Sequence, residues 1–360
     1  MIYNKIKPKY KELQDFLKDT YLPAGRETSG INALPNGPET YNYLVRQSTT
    51  TLMSADEIHE LGKSEVARIL GEMERVKDEI GFKGNLKAFF DYVRNSKEQM
   101  PFTEPEQVIA NFNDIHTRMS KKLSEVFDIK PKASFEVRRT EAFREASASA
   151  EYVPGTKDAS RAGVFYVPIP DVKSYNKYTA EALFLHEAVP GHHYQLSLQQ
   201  ENEDLPEFLH PESIGVFVEG WALYAESLGK ELGLYEDPYQ YFGMLSMEMH
   251  RAIRLVVDTG IHGKGWSREQ AIQYSLDNEA DSEASITSEI ERYMATPGQA
   301  LSYKLGQLKI RELRTKAEEA LGDAFDVKEF HNQVLNSGSL PLVLLEEKII
   351  NWIAKEKVSG

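Results

Sequence analysis

Phe184-Leu-His-Glu-Ala-Val-Pro-Gly-His-His-Tyr194 packs three imidazoles and one carboxylate into eight residues of an otherwise apolar run. That density of ligand chemistry reads as a metal site carried on a helix. A hydrolytic zinc site needs two neutral imidazoles, a third ligand, an open position for water, and a carboxylate that takes a proton from that water. His186, His192 and Glu187 supply most of this. In the common pattern two His stand four apart on one helix face, with Glu directly after the first. Here the fifth position is Pro190, and the next imidazoles fall six and seven residues after His186. Either Pro190-Gly191 loops out and returns His192 to the ion, or the helix runs on with a kink and His193, two turns along, shares the face of His186. The first reading is favoured and the second stays open. A bland alternative has Pro-Gly simply ending a helix with imidazoles on a polar surface. The Leu183-Phe184-Leu185 approach argues for burial instead.

The third ligand is sought in Val218-Glu-Gly-Trp-Ala-Leu-Tyr-Ala-Glu226, within a helix expected from Ile214 to about Leu232. A carboxylate in so apolar a helix must be paired or bound to something positive, because leaving it bare in low dielectric is costly. Glu219 is therefore the natural third ligand. Glu226, on the same stripe, is placed to orient a ligand imidazole from behind. The plain alternative for both is an ordinary salt-bridged helix carboxylate.

Further along, a helix over roughly Pro238 to Thr259 sets His250, Arg254 and Asp258 at successive four-residue steps, so Arg254 and Asp258 are expected to pair along it. Arg254 is read as structural or as a binder of a substrate carboxylate. The helix is then expected to break into a glycine-rich turn, Thr259-Gly-Ile-His-Gly-Lys-Gly-Trp266, presenting His262 to stabilise an oxyanion. Tyr303, just beyond Pro297-Gly298, is the first candidate for a phenol that assists at a carbonyl. His59 is read as the wet face of a helix opened by the capping box Ser54-Ala-Asp-Glu57, and His116 as a surface or half-buried helix residue.

Composition narrows the partners. With 42 Lys plus Arg against 56 Asp plus Glu, the net charge is -14, which disfavours nucleic acid and anionic membranes. The absence of cysteine removes disulfides, thiolate nucleophiles and Cys-ligated zinc. No apolar run is long enough to span a membrane, and Met1-Ile-Tyr-Asn-Lys does not read as a signal peptide. Periodicity predicts helices over most of the chain. Strand-like alternation is confined to Ala133–Arg139 and Ala162–Pro168, with loops between them, so a small sheet precedes the metal helix. The division expected is a helical N-terminal lobe over 1–130 and a catalytic lobe over 131–360, read as one continuous domain.

Thr49-Thr-Thr51 with Ile58-His-Glu-Leu-Gly62, His186-Glu-Ala-Val-Pro-Gly-His-His193, Glu219 to Glu226, Arg254 to His262, and Pro297-Gly-Gln-Ala-Leu-Ser-Tyr-Lys304 together resemble the bacterial family called domain of unknown function 885. Phe330-His331 and Leu340-Pro-Leu342 resemble its closing segment. The resemblance implies a mainly α, zincin-like metallopeptidase fold. One zinc ion would be held by His186, Glu219 and one of His192 or His193, with Glu187 as base. Members of this family are usually longer, with a further N-terminal region that often begins with an export or lipoprotein signal. The expectation is then periplasmic or lipoprotein-anchored if such a signal precedes this chain, and cytoplasmic otherwise. The function expected is a zinc hydrolase acting on a peptide or small amide. The alternatives are a metal-dependent esterase or amidase, and a non-catalytic binding protein with a structural metal site. Oligomeric state is left open.

Overall fold

The computed structural model of the chain describes residues 1–211 and 213–359. It is mainly helical with one small sheet. The first helix, α1 (Lys7–Phe16), is continued by helical turns at Ile2–Ile6 and Leu17–Tyr21 and buries no residue. It is followed by α2 (Gly37–Thr49), α3 (Ala55–Ile80), α4 (Leu86–Asn95), α5 (Pro105–Met119) and the short α6 (Leu123–Val126). The Ser54 hydroxyl accepts the Glu57 N–H, and the Glu57 carboxylate takes the Ser54 N–H, so the capping box closes as its spacing predicts.

Strands β1 (Phe135–Arg139), β2 (Glu151–Val153) and β3 (Gly163–Val167) form a sheet of order β1-β3-β2. β1 runs parallel to β3 with Phe135 opposite Gly163, and β2 runs antiparallel with Tyr152 opposite Phe165. The remaining chain is helical: α7 (Ala180–Glu187), α8 (His192–Glu201), α9 (Gly215–Ser227), α10 (Pro238–Gly263), α11 (Arg268–Asn278), α12 (Glu283–Ala295), α13 (Ser302–Leu321), α14 (Val327–Leu335) and α15 (Leu342–Ser359).

The spine is α10, whose residues from Phe242 to His262 are almost all buried. α3 lies along it, with Gly62 against Leu255 and Val256. α9 is apolar nearly all round, with Phe217, Trp221 and Leu223 fully buried, as befits a helix enclosed by others. It touches α13 backbone to backbone: a Cβ on Gly220 would stand 2.4 Å from Gly306 Cα, so only glycine allows the approach. That contact fixes the neighbouring Glu219. Lys304, fully buried on α13, pairs with Glu248 of α10 at 2.6 Å and Glu65 of α3 at 3.0 Å. This network ties three helices together, and removing one partner of such a buried pair costs about 3–5 kcal/mol.

Two local expectations are corrected. α10 does not break at Thr259 but continues to Gly263, because the Lys264 N–H closes on the Thr259 and Gly260 carbonyls and the Trp266 ring covers Gly260. His59 is not on a wet face: it is buried, and its Nδ1 lies 2.8 Å from Thr259 Oγ1 on α10.

Candidate functional site

α7 ends at Glu187, and the chain leaves helical geometry at Ala188 (φ -106, ψ -106) and Gly191 (φ -75, ψ -127) before α8 begins at His192. The Val189–Pro190 peptide between them is cis. Gly191 is forced, since a Cβ there would lie 1.9 Å from the His186 carbonyl oxygen. Trp221 Nε1 on α9 donates to the Pro190 carbonyl at 2.7 Å and holds the loop down. The excursion brings His192 back beside His186, with ring centroids 4.7 Å apart and planes at 86°.

His186 Nε2 and His192 Nε2 each lie 3.5 Å from Glu219 Oε2. Tetrahedral zinc with bonds of about 2.0–2.1 Å sets its ligand atoms about 3.3–3.4 Å apart, so the spacing is that of a coordination shell. The Nδ1–H of His186 donates to Glu226 Oε1 at 2.7 Å, which turns Nε2 toward Glu219. Glu219 Oε2 is buried and accepts no hydrogen bond from the described residues, and His192 Nδ1 is likewise buried without a partner. A buried carboxylate oxygen with no donor is unstable unless a cation faces it. The residues therefore fit a zinc ion.

Titration points the same way. Burial pushes the His186 imidazole down, but Glu219 and Glu226 outweigh it and raise it to about 9. Burial pushes Glu219 up, while the two imidazoles hold it well below the usual carboxylate range. The pocket thus favours positive charge between its carboxylates. Glu187 is buried one residue after His186 and close enough to act on that ring's charge.

His193 goes elsewhere. Its Nδ1 is 2.8 Å from the Tyr152 hydroxyl of β2 and 3.3 Å from Ser197 Oγ, its ring packs 4.8 Å from Phe135, and burial lowers it to about 4. It joins α8 to the sheet, so the structure gathers His186, His192 and Glu219 without it.

The residues assigned from the second half of the chain have partners of their own. His262 is fully buried inside α10, accepting from the Ile31 N–H at Nδ1 and donating to the Tyr293 carbonyl at Nε2. With both nitrogens engaged and burial lowering it to about 4, it has no free atom for an oxyanion. Arg254 does not pair with Asp258. Its guanidinium donates to the Tyr293 hydroxyl at 2.8 Å and to Glu289 at 2.9 Å, and lies 4.5 Å from the Tyr303 ring centre. Tyr303 is half-buried in the first turn of α13. Sequence reasoning missed Glu289 and Tyr293 as partners of this arginine, and Tyr152 as the anchor of His193. All three contacts are long-range, and no local pattern announces them.

Asp258 accepts the Tyr41 hydroxyl at 2.6 Å and the Gly298 N–H at 3.1 Å. Burial raises its carboxyl to about 7, above the roughly 3.9 of an unfolded chain. The native state then keeps a proton that the unfolded state releases, so Asp258 contributes stability at low pH that is lost as pH rises from about 4 to about 7. Asp258→Asn is expected to flatten that slope and cost little at pH 6. Asp258→Ala, leaving two buried donors unpaired, is expected to cost about 1–3 kcal/mol for each. Thermal melts across that pH range check both.

A second grouping, His250 with Glu279 and Asp281, differs in kind: His250 Nδ1 is 2.6 Å from Glu279 Oε2, a hydrogen-bond distance with a proton already between the atoms, and 3.7 Å from Asp281. A cavity of about 330 Å³ lined by Phe127, Tyr194, Leu198 and Leu335 includes none of the three converging ligands. The donor set, rather than concavity, singles out the His186 cluster.

Comparison with known proteins agrees on the fold. A protein of solved structure described as a "putative lipoprotein" from Colwellia psychrerythraea is 36% identical, superposes with a TM-score of 0.93, and matches 98% of this chain and 61% of its own. A second, described as a "putative lipoprotein of unknown function" from Shewanella oneidensis, is 22% identical with a TM-score of 0.76 over 95% of this chain and 63% of its own. This chain thus spans about three fifths of the length of both. No curated protein matches it. The model of a bacterial protein family of unknown function, DUF885, matches residues 1–349, and the chain belongs to that family.

Proposed function

We propose that this chain is a zinc-dependent hydrolase with a zincin-like centre, acting on peptide bonds. The observation that carries the reading is the convergence of His186 Nε2, His192 Nε2 and the unpartnered Glu219 Oε2, with Glu187 adjoining and Glu226 fixing the first ring. Zinc held there supplies a Lewis acid that makes water a nucleophile near neutral pH. Three protein ligands leave a position for substrate, which favours a catalytic over a structural site. Glu187 takes the proton from the attacking water and returns it to the leaving amine. Glu226 keeps His186 in the tautomer that binds metal. The electrophilic role passes from His262 to Tyr303, whose ring is stacked beside Arg254. Among the described residues β2 pairs with a strand on one side only, and its Tyr152 is bonded to the neighbour of ligand His192. That free edge is suited to an extended peptide, which favours a peptidase over an esterase or a small-amide hydrolase. The fold neighbour from Colwellia is described as a "putative lipoprotein", which supports an exported or lipid-anchored setting for this family member. Among the described residues no helix is long and apolar enough to cross a membrane.

The test is zinc content by plasma mass spectrometry on dialysed protein, followed by a panel of peptides, esters and simple amides with and without chelator. Zinc-dependent cleavage of peptides supports the reading. Cleavage of esters alone moves it to the esterase alternative, and a chain that binds zinc but turns over nothing moves it to a structural site.

A further inference from the structure

Arg254 of α10 keeps one buried donor that no group among the described residues accepts. Its Nε donates to the Tyr293 hydroxyl and its Nη2 to Glu289, while Nη1 is buried without a hydrogen-bond partner. A guanidinium presents five N–H groups in a fixed fork and cannot shed its charge, so a desolvated Nη1 costs free energy until an acceptor faces it. Acids are short here as well. Glu289 receives Arg254 Nη2 at 2.9 Å and Arg292 Nη2 at 3.0 Å, so two guanidiniums share one carboxylate. His250 stands 3.4 Å from the same carboxylate and takes Glu279 at 2.6 Å and Asp281 at 3.7 Å for itself. Buried Asp258, which also feels Arg292, is raised to about 7 and adds little negative charge below that pH. A buried positive surplus with an idle donor is built for an anion.

Helix register places this donor at the metal's end of the frame. α9 and α13 run parallel, with Gly215 beside Ser302 and Gly220 against Gly306. α10 runs antiparallel to α13, with Glu248 beside Lys304 and Asp258 taking the Gly298 N–H. Gln307 Nε2 reaches the Leu223 carbonyl of α9 and Glu248 of α10, both at 3.4 Å, so these three residues form one layer across the three helices. In the same direction from that layer stand Glu219 and Tyr303, each four residues or about 6 Å along its helix, and Arg254, six residues or about 9 Å along. Half-buried Tyr303, its ring centre 4.5 Å from the guanidinium, sits on the helix that touches both others. We propose that Arg254 receives the C-terminal carboxylate of the peptide, so that the enzyme is an exopeptidase working from that end. The inference rests on the zinc hydrolase reading for the cut itself. The Tyr303 ring turns aside to admit the carboxylate to Nη1, and the phenol assigned to the scissile carbonyl stands beside the group that reads the terminus. Water gives its hydroxyl to the acyl carbon and its proton to the leaving nitrogen, and the C-terminal fragment departs as a free amino acid or short peptide.

Calorimetry on the chelator-treated chain, with N-acetyl-trialanine and its C-terminal amide as probes, tests the site without any turnover. The acid is expected to bind about 10–100-fold more tightly than the amide, as a charge-assisted bond to a buried donor requires. Arg254→Met is expected to erase that preference, and because Glu289 keeps Arg292 in this variant the fold should hold. Equal binding of acid and amide by the unaltered chain overturns the proposal, whether or not the variant folds. A preference that survives in Arg254→Met overturns the assignment to this arginine. A third probe, an amidated peptide of the same length ending in glutamate, separates the terminus from an acidic side chain: binding as tight as the acid's would give the site to the side chain and overturn the exopeptidase reading. With zinc restored, a chain that shows the preference but cleaves nothing keeps this site and loses the hydrolase reading. One that cuts amidated and free peptides equally well keeps the hydrolase reading and loses this site.

Discussion

Glu187→Gln is expected to keep its zinc and lose peptide turnover by at least about 10²–10⁴-fold, the range of a positioned general base. The argument is one of address. Glu187 is the last residue of α7, directly after His186, while the atoms that converge on the metal position belong to His186, His192 and Glu219. Exchanging its carboxylate for an amide preserves volume in a buried position and removes only basicity, so metal content and melting temperature should stay put. Glu226→Gln gives the contrast. Its Oε1 accepts the His186 Nδ1–H at 2.7 Å, so the loss should fall on zinc affinity, by about 10–100-fold, and reach turnover through occupancy. Saturating zinc would restore Glu226→Gln and leave Glu187→Gln dead. If Glu187→Gln cleaved the same substrate as fast as the unaltered chain, the proposed role of this carboxylate would be wrong.

What the sequence made legible was chiefly local. Helical periodicity, the Ser54 capping box and the apolar α9 needed no distant partner to be read, because a 3.6-residue repeat and a hydroxyl three residues before a carboxylate are properties of single segments. The same holds for the Pro190-Gly191 excursion and for the place of Glu219 beside the two imidazoles, where a carboxylate in an apolar helix was itself the signal. The readings that failed needed the other side of the contact. Thr259-Gly-Ile-His-Gly resembles a turn, yet its glycine at 260 serves the close approach of Trp266 and the helix runs on. Arg254 and Asp258 have ideal spacing for a helical pair, worth only about 0.2–0.5 kcal/mol, and partners from α2 and α12 outweigh it: Tyr41 for the acid, half-buried Glu289 and buried Tyr293 for the base. β2, at three residues, is too short for alternation to register and exists because β3 is there to pair with it. His59 looked solvated among its charged neighbours and is buried because α10 lies against it.

Glu219→Ala is expected to empty the site, and its effect on stability should change with zinc. Zinc that binds the folded chain and not the unfolded one stabilises by RT ln(1 + [L]/Kd), about 2.7 kcal/mol at a hundredfold excess over Kd, so the unaltered chain should melt higher as zinc is added. The Ala variant, left with two imidazoles, should lose that response and most of its bound metal. Without zinc the comparison is different. Glu219 Oε2 is buried 3.5 Å from two imidazoles that hold it ionised, while Glu226, 2.7 Å from His186 Nδ1, keeps that ring paired when Glu219 is gone, so an alanine should lower melting by much less than it does with zinc present. An ordinary buried ion pair predicts an equal loss in both conditions, about 3–5 kcal/mol, because deleting its acid strands charged imidazoles whether or not metal is present. Melting curves of both chains, with chelator and with zinc, separate the two accounts. A variant that is equally destabilised under both conditions would make Glu219 a structural salt-bridge residue and remove the third ligand from the proposed centre.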